Sequence, residues 1–123
     1  MKQTVTQKDI SHESMIYRGS GGVSAENRAY GFRPAFFDRD SGRVYLACDA
    51  GGTPSAVHCF DGLPDDLVML RDESGRPTEV KSSVTAGFVR EGCFFTREQA
   101  AQVVQWELDQ SVCGQRTVRS AQP

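Results

Sequence analysis

The chain has 123 residues, of which 38% are hydrophobic and 24% are charged. These values are typical of one soluble globular domain, and the length is too short for two comfortable ones. No apolar run approaches the roughly 18 residues that a membrane-spanning helix requires, so we expect no contact with the membrane interior. The formal net charge of −2 disfavours a nucleic-acid partner, because phosphate contacts need a basic surface.

The two ends of the chain differ from its middle. The first residues, MKQTVTQKDISHES, have no apolar core behind the lysine, so they lack the pattern of a secretory signal and we expect a cytoplasmic protein. Residues 1–16 are polar and aperiodic, which predicts a flexible N-terminus. We assign residues 17–114 to a single domain and residues 115–123 to a flexible tail.

Strand and turn signals dominate from residue 33 to residue 60. RPAFFD, the turn RDSG and the alternating RVYLAC together predict a β-hairpin from about Arg33 to Cys48. AVHCF, at residues 56–60, alternates again and predicts a further strand. Glycine and proline in DGLPDD then interrupt the sheet.

Further strand signals follow up to residue 95. LVMLR is a continuous apolar run, which predicts a central strand covered on both faces. TEVKSSV favours a strand because β-branched residues recur in it and helix formers are few. AGFV, the turn REG and CFF predict a last tight hairpin.

A long helix is predicted after Thr96. Thr96 and Gln99 have the spacing of a capping box, and REQAAQVVQWELDQ is rich in helix formers and free of glycine and proline. Gly114 is a stop signal for this helix, and Ser24 is positioned to cap a short helix over AENRAY. The sum is an α+β fold, in which an antiparallel sheet of about five or six strands, built from hairpins, carries a packed C-terminal helix.

The predicted C-terminal helix has two apolar faces. At about 100° per residue, five residues share one stripe that should pack against the sheet: Ala100, Ala101, Val104, Leu108 and Val112. Val103 and Trp106 lie three residues apart on a second face. Two interpretations stay open: the chain ends fold over this second face, or Val103 and Trp106 form an interface with a protein partner. A homodimer that pairs these helices is the simplest form of the second interpretation.

The glycine-rich stretch YRGSGG, at residues 17–22, raises the question of a phosphate-binding loop. A Walker loop requires a lysine after its glycines, and none follows here. A dinucleotide fingerprint requires a preceding strand, and the three residues MIY are a weak candidate for one. Backbone N–H groups around Gly21, Gly22 and Ser24 form a candidate site for a small anion at the start of a short helix. The alternative is a flexible joint between the N-terminus and the first hairpin.

The cysteines and histidines give no recognisable catalytic or metal pattern. Cys48, Cys59, Cys93 and Cys113 contain no C-x-x-C pair, and we expect reduced, buried thiols. The spacing of the cysteines and His58 matches no common zinc site, and His58 and Cys59 would point to opposite faces of a strand. We therefore assign no catalytic residue, no metal and no cofactor. His58 is kept as a candidate residue of a small-molecule pocket near the glycine-rich stretch.

Arginines are mixed with aromatic residues between Tyr17 and Arg39. Such a mixture can stack on single-stranded nucleic acid, and it also arises in a hairpin with one buried face and charged edges. The acidic balance of the chain favours the hairpin. The carboxylate pairs Asp65–Asp66 and Asp72–Glu73 adjoin glycine or proline turns, which is typical of solvated loops rather than of an acid–base couple.

Four segments resemble small uncharacterised bacterial proteins that end in a GF–turn–aromatic–TRE–A segment running into a helix. The segments are GGVSAENRAYGFRPAFFD, SGRVYLA, FDGLPDDLV and GFVREGCFFTREQAA, and the resemblance spans about Gly21 to Ala101. That group has no established activity, so it supplies no functional residue. The resemblance implies a bacterial cytosolic protein; short chains of this type also occur among mobile-element and cassette-borne genes.

Three functional hypotheses follow from the residues. The first is a non-enzymatic protein-interaction or adaptor module that contacts a partner or itself through Val103 and Trp106. The second is a small-molecule or anion binder, or a minor enzyme, with a site where the glycine-rich stretch meets the sheet near His58. The third is a nucleic-acid accessory protein that uses the arginine–aromatic stretch.

Overall fold

A computed structural model of the chain describes the backbone of residues 4–113 and the side chains of residues 4–110. The described range contains ten α-helices and β-strands, here numbered in chain order: β1 Thr4–Thr6, α1 Gln7–Ile16, α2 Ser24–Asn27, β2 Arg33–Asp38, β3 Arg43–Leu46, β4 Val68–Arg71, β5 Pro77–Lys81, β6 Val84–Arg90, β7 Cys93–Thr96 and α3 Arg97–Cys113. All strand pairs are antiparallel. The predicted α+β class is confirmed.

The strands form two sheets instead of one. One sheet has three strands in the order β1-β5-β4, and the other has four strands in the order β3-β2-β6-β7. The described residues thus contain seven strands, which is more than the five or six predicted. Strand β7 lies at one edge of the four-stranded sheet and is followed directly by α3, so the helix starts at the edge of the sheet on which it packs.

Residues 4–16 have more regular structure than the sequence predicted for them. Thr6 caps α1 in a capping box: the Asp9 N–H donates to Thr6 Oγ1 at 3.1 Å, and the Thr6 N–H donates to Asp9 Oδ2 at 2.8 Å. Strand β1 precedes this cap and pairs with β5. Flexibility of the N-terminus stays a prediction, as does the domain boundary at residue 17. The predicted tail at residues 115–123 lies outside the described residues.

Both predicted hairpins are present. Strands β2 and β3 pair with Phe36 opposite Tyr45, and strands β6 and β7 pair with Phe88 opposite Phe95. The second hairpin turns at Glu91, which has a left-handed φ of 53° and is followed by Gly92 at 82°. Two successive residues with positive φ match the twist of the strands that they connect.

Two strand predictions are wrong. Residues 56–60 form no strand, although burial still alternates there, with His58 and Phe60 buried and Val57 exposed. Alternating burial alone did not identify a strand here, because these side chains are buried although their backbone pairs with no neighbouring strand. Strand β4 is an edge strand rather than a central one, and Met69 and Leu70 are more than half exposed. An apolar run is therefore no guarantee that both faces of a strand are covered.

The core consists of two clusters of buried side chains. The larger cluster lies between the sheets and α1 and contains Ile10, Phe36, Ala47, Phe60, Leu63, Leu67, Val80, Val84 and Ala86. The smaller cluster joins α3 to the four-stranded sheet and contains Phe32, Phe88, Ala100 and Val104. Helix α3 is therefore held by a small, aromatic part of the core.

The C-terminal helix is confirmed, and so is its capping box. The Thr96 N–H donates to Gln99 Oε1 at 3.0 Å, and the Gln99 N–H donates to Thr96 Oγ1 at 3.1 Å. The predicted inner stripe is buried at Ala100, Ala101 and Val104, but Leu108 is 42% exposed. Burial of the stripe therefore ends before Leu108. The side chain of Val112 and the stop at Gly114 lie outside the described residues.

Candidate functional site

Trp106 projects away from both core clusters. Its side chain is 61% exposed, although burying a side chain of this size would remove more apolar surface from water than almost any other. Val103, one turn earlier, is half-buried and packs against the smaller core cluster. The second apolar face predicted for α3 is thus present at Trp106 and is partly used for packing at Val103. Their role as an interface stays a prediction.

A groove with a volume of about 500 Å³ runs between α3 and the edge strand β7. We call it the Trp106 groove, and it is lined by Cys93, Phe94, Phe95, Gln99, Gln102, Val103 and Trp106. None of the described residues that line it is charged. Phe94, on its floor, also stacks on Phe37 with ring centroids 5.3 Å apart, so the apolar surface continues onto the sheet.

A second depression lies on the other side of the indole. It has a volume of about 530 Å³ and is lined by Ser20, Glu98, Ala101, Gln102, Gln105, Trp106 and Asp109. Trp106 belongs to the walls of both depressions. The indole is therefore a ridge between an apolar groove and a more polar one.

The glycine-rich stretch holds α3 in place. A Cβ on Gly21 would lie 2.7 Å from Val104 Cβ, and a Cβ on Gly22 would lie 2.9 Å from the Arg97 carbonyl oxygen. Gly21 also has φ of 95°, which L side chains rarely adopt. These glycines allow the chain to approach the helix closely, so this stretch is a packed junction between α1 and α3.

The amides that we assigned to an external anion are engaged within the chain. The Gly19 N–H donates to Glu26 Oε2 at 2.6 Å, and the Gly21 N–H donates to Glu26 Oε1 at 2.9 Å. The Gly22 N–H donates to Ser20 Oγ. Ser24 is the first residue of the four-residue helix α2 rather than its N-cap. The carboxylate of Glu26 therefore occupies the Gly21 amide, and Ser20 occupies that of Gly22, so two of the three residues predicted for an anion already have partners within the chain.

His58 is buried among aromatic rings, at centroid distances of 5.4 Å from Phe36 and 5.2 Å from Phe88. Its Nδ1 lies 3.3 Å from Arg97 Nη2, and its Nε2 lies 2.7 Å from the Gly87 carbonyl oxygen. A guanidinium only donates, so Nδ1 accepts and Nε2 carries the proton. Burial, reinforced by the positive charge of Arg97, lowers the pKa of His58 to about 4, so the imidazole is neutral at pH 7.

A groove of about 720 Å³ reaches His58 from the surface between α1 and α2, as the small-molecule hypothesis requires. Its walls include Ser11, Ser14, Arg18 and Ser24. The imidazole contributes only apolar surface to this groove, because both of its nitrogens already have partners in the protein.

Arg97 is the hub of a buried polar cluster that the sequence analysis missed. Its side chain is 3% exposed, and it donates to the Gly22 carbonyl oxygen at 2.9 Å, to Ser14 Oγ at 3.1 Å and to Glu13 Oε1 at 3.3 Å. Burial lowers the pKa of this guanidinium, and the charge of Glu13 opposes that effect. The cluster ties α1 and the glycine-rich stretch to the start of α3. The one sequence signal for this cluster was the TRE motif at residues 96–98. It places an arginine in the first turn of a helix, where the helix dipole disfavours a positive charge.

The thiols are less buried than predicted. Cys48 and Cys59 are half-buried and Cys93 is exposed, and all three are free. Burial raises the pKa of the Cys59 thiol, which is the opposite of what an activated nucleophile needs. Within residues 4–110, no three His, Cys, Asp or Glu side chains lie close enough together to hold a metal ion.

Two aromatic rings of the arginine–aromatic stretch face inward. Phe32 and Phe36 are almost completely buried, whereas Phe37 is half-buried and stacked on Phe94. Phe32 and Phe36 are therefore not presented to a nucleic-acid base. Two of the loop carboxylates behave as surface groups: Asp65 pairs with Arg71 at 2.6 Å, and Asp72 accepts bonds within its own turn.

Comparison of the chain with known protein families, curated proteins and solved structures found no match. In the part of the chain that the structure describes, no helix combines the length and the apolar character needed to cross a bilayer. The function must therefore be argued from the geometry above.

Proposed function

We propose that this protein is a non-enzymatic interaction module and that the Trp106 groove is its contact surface. The single observation that carries the proposal is the 61% exposure of the one tryptophan in the chain, at the rim of an apolar groove. Tryptophan is enriched among the residues that dominate binding energy, particularly where it inserts into a neighbouring pocket. Leaving it in water has a cost that contact with a partner would remove.

The partner to which we commit is a second copy of the chain. A two-fold interface must be complementary to itself, and this surface carries a ridge, Trp106, directly beside a groove of similar character. The groove has neutral amides at Gln99 and Gln102 and, among residues 4–110, no lining charge, so two copies approach without repulsion between these residues. The short strand β7 lies along the same surface and forms the edge of its sheet. Two copies can therefore meet there with their β7 edges side by side.

Neither alternative hypothesis has comparable support. A small-molecule site centred on His58 has a groove, but it has no imidazole nitrogen left to contact a ligand. A nucleic-acid role needs exposed rings in the arginine–aromatic stretch, and two of the rings there, Phe32 and Phe36, are buried.

The proposal is tested by measuring mass against protein concentration with light scattering and native mass spectrometry. We expect the wild type to dimerise and Trp106→Ala to remain monomeric. Loss of one buried indole costs about 2 kcal/mol in an interface, and a symmetric dimer loses two, so its dissociation constant should rise about a thousandfold. Leu108→Ala is the matched control, because Leu108 is also exposed on α3 but does not line the groove.

Two results would overturn the assignment. A wild type that stays monomeric at high concentration excludes the second copy as partner. A dimer that Trp106→Ala leaves intact places the interface elsewhere. Far-ultraviolet circular dichroism of the variant separates these results from unfolding, which we do not expect because an exposed side chain contributes little to stability.

A further inference from the structure

A cleft of about 380 Å³ lies on a different part of the surface, between the start of β2 and residues 54–56. Its lining includes Arg28, Gly31, Arg33, Pro34, Pro54 and Ser55. The volume falls in the lower part of the range, about 300–1,000 Å³, that small-molecule sites occupy. None of these residues belongs to the Trp106 groove.

Both walls of the cleft are fixed by the backbone. On one side the Gly31 N–H donates to the Arg28 carbonyl oxygen at 3.1 Å, and Gly31 has φ of 89°, so the chain reverses tightly and brings Arg28 and Arg33 to the same opening. On the other side the Ala47 N–H donates to the Pro34 carbonyl oxygen at 2.9 Å, and the Ser55 N–H donates to the Ala47 carbonyl oxygen at 2.8 Å. The cleft therefore exists without a ligand to organise it.

The two arginines that line the cleft lack the carboxylate partners that four other arginines of this protein have. Arg71, Arg76, Arg90 and Arg97 each form an ion pair, with Asp65, Asp61, Glu107 and Glu13 respectively. Arg28 and Arg33 are exposed and form no ion pair with any residue of the described range. No carboxylate lines the cleft. Two positive charges thus share one opening without compensation, in a chain whose net charge is −2.

We propose that this cleft binds a small organic anion, a compound with a phosphate or carboxylate group attached to a compact apolar body. Guanidinium groups bind both oxyanions through paired, charge-assisted hydrogen bonds, and the Ser55 hydroxyl adds a neutral polar group at the opening. The exposed ring of Pro54 supplies rigid apolar surface for the body of the ligand. The site is independent of the Trp106 groove, so either proposal can fail alone.

The experiment is a titration of the full chain with phenyl phosphate and with benzoate at low ionic strength, where screening is weak, followed by calorimetry and by amide chemical shifts. We expect saturable binding of at least one of the two anions, with the largest shifts at Gly31 and Ser55. The preferred anion distinguishes a phosphate from a carboxylate ligand. Benzyl alcohol, which has the ring without the charge, should bind at least about tenfold more weakly.

Substitutions test the two arginines directly. Arg28→Gln and Arg33→Gln should each weaken binding roughly tenfold, as loss of a charge-assisted hydrogen bond implies. Arg43→Gln is the matched control: Arg43 is exposed and forms no ion pair in the described range, but it does not line the cleft. The assignment is overturned if neither anion saturates, if the double variant Arg28→Gln/Arg33→Gln binds like the wild type, or if Arg43→Gln weakens binding as much.

Discussion

Lowering the pH from 7 to 4 should destabilise the folded protein through His58. The folded state holds the imidazole neutral, with its pKa lowered from 6.5 to about 4 by burial and by Arg97. Between these two values the unfolded chain binds a proton and the folded chain does not, so stability falls as the pH falls. Each pH unit is worth about 1.4 kcal/mol, and the loss across the whole window approaches about 3 kcal/mol.

Urea unfolding of the wild type at a series of pH values between 7 and 4 measures this slope. His58→Gln should remove the slope within the window, even though it costs about 1–3 kcal/mol at pH 7 by depriving Gly87 and Arg97 of a partner. His12→Gln is the matched control, because His12 is the other histidine and is exposed. An unchanged slope in His58→Gln, or a slope abolished by His12→Gln, would refute the reasoning. Asp38 acts mainly below this range: hydroxyls of Ser83 and Ser41 hold its pKa at about 2, so most of its contribution is lost below about pH 4.

Two further substitutions test the packing that positions α3, both by the free energy of urea unfolding. Gly21→Ala should cost about 2–4 kcal/mol, because the new Cβ would overlap Val104 and the backbone there is left-handed. The control Gly31→Ala has a left-handed backbone but no neighbour within 4 Å, so it should cost only about 1 kcal/mol. Equal costs for the two variants would exclude the contact with Val104. Arg97→Met should cost about 3–5 kcal/mol as the loss of a buried, bonded charge, against less than about 1 kcal/mol for Arg71→Met at an exposed ion pair. A small loss for Arg97→Met would mean that its hydrogen bonds contribute no more than surface contacts.

Local signals in the sequence predicted the hairpins and the long helix. The capping box of Thr96 and Gln99 and the turn at Glu91–Gly92 act over four residues, and such signals do not depend on the rest of the fold. The capping box of Thr6 and Asp9 was equally readable, but α1 has only one buried residue, Ile10. No apolar periodicity therefore marked α1, and much of its anchorage comes from Arg97, far along the chain.

The candidate site was predictable only in part. Helical periodicity placed Trp106 on the outer face of α3, because that inference needs only the angle per residue. The floor of the groove, Phe94 and Phe95, depends on β7 lying at the edge of the sheet beside α3, which no local pattern encodes. The cleft at Arg28 and Arg33 was missed for the same reason, since loop residues 54–56 complete it.

The exposure of Trp106 follows from how α3 is packed rather than from the choice of one rotamer. Val104 lies against Gly21, and this contact fixes the rotation of the helix about its axis. Two residues later, Trp106 is about 200° away around the helix, so its side chain points away from the core whichever staggered conformation it adopts. Arg97 fixes the first turn of the same helix to α1 through Glu13 and Ser14. A helix held at both points cannot roll to bury the indole against the core that residues 4–110 form.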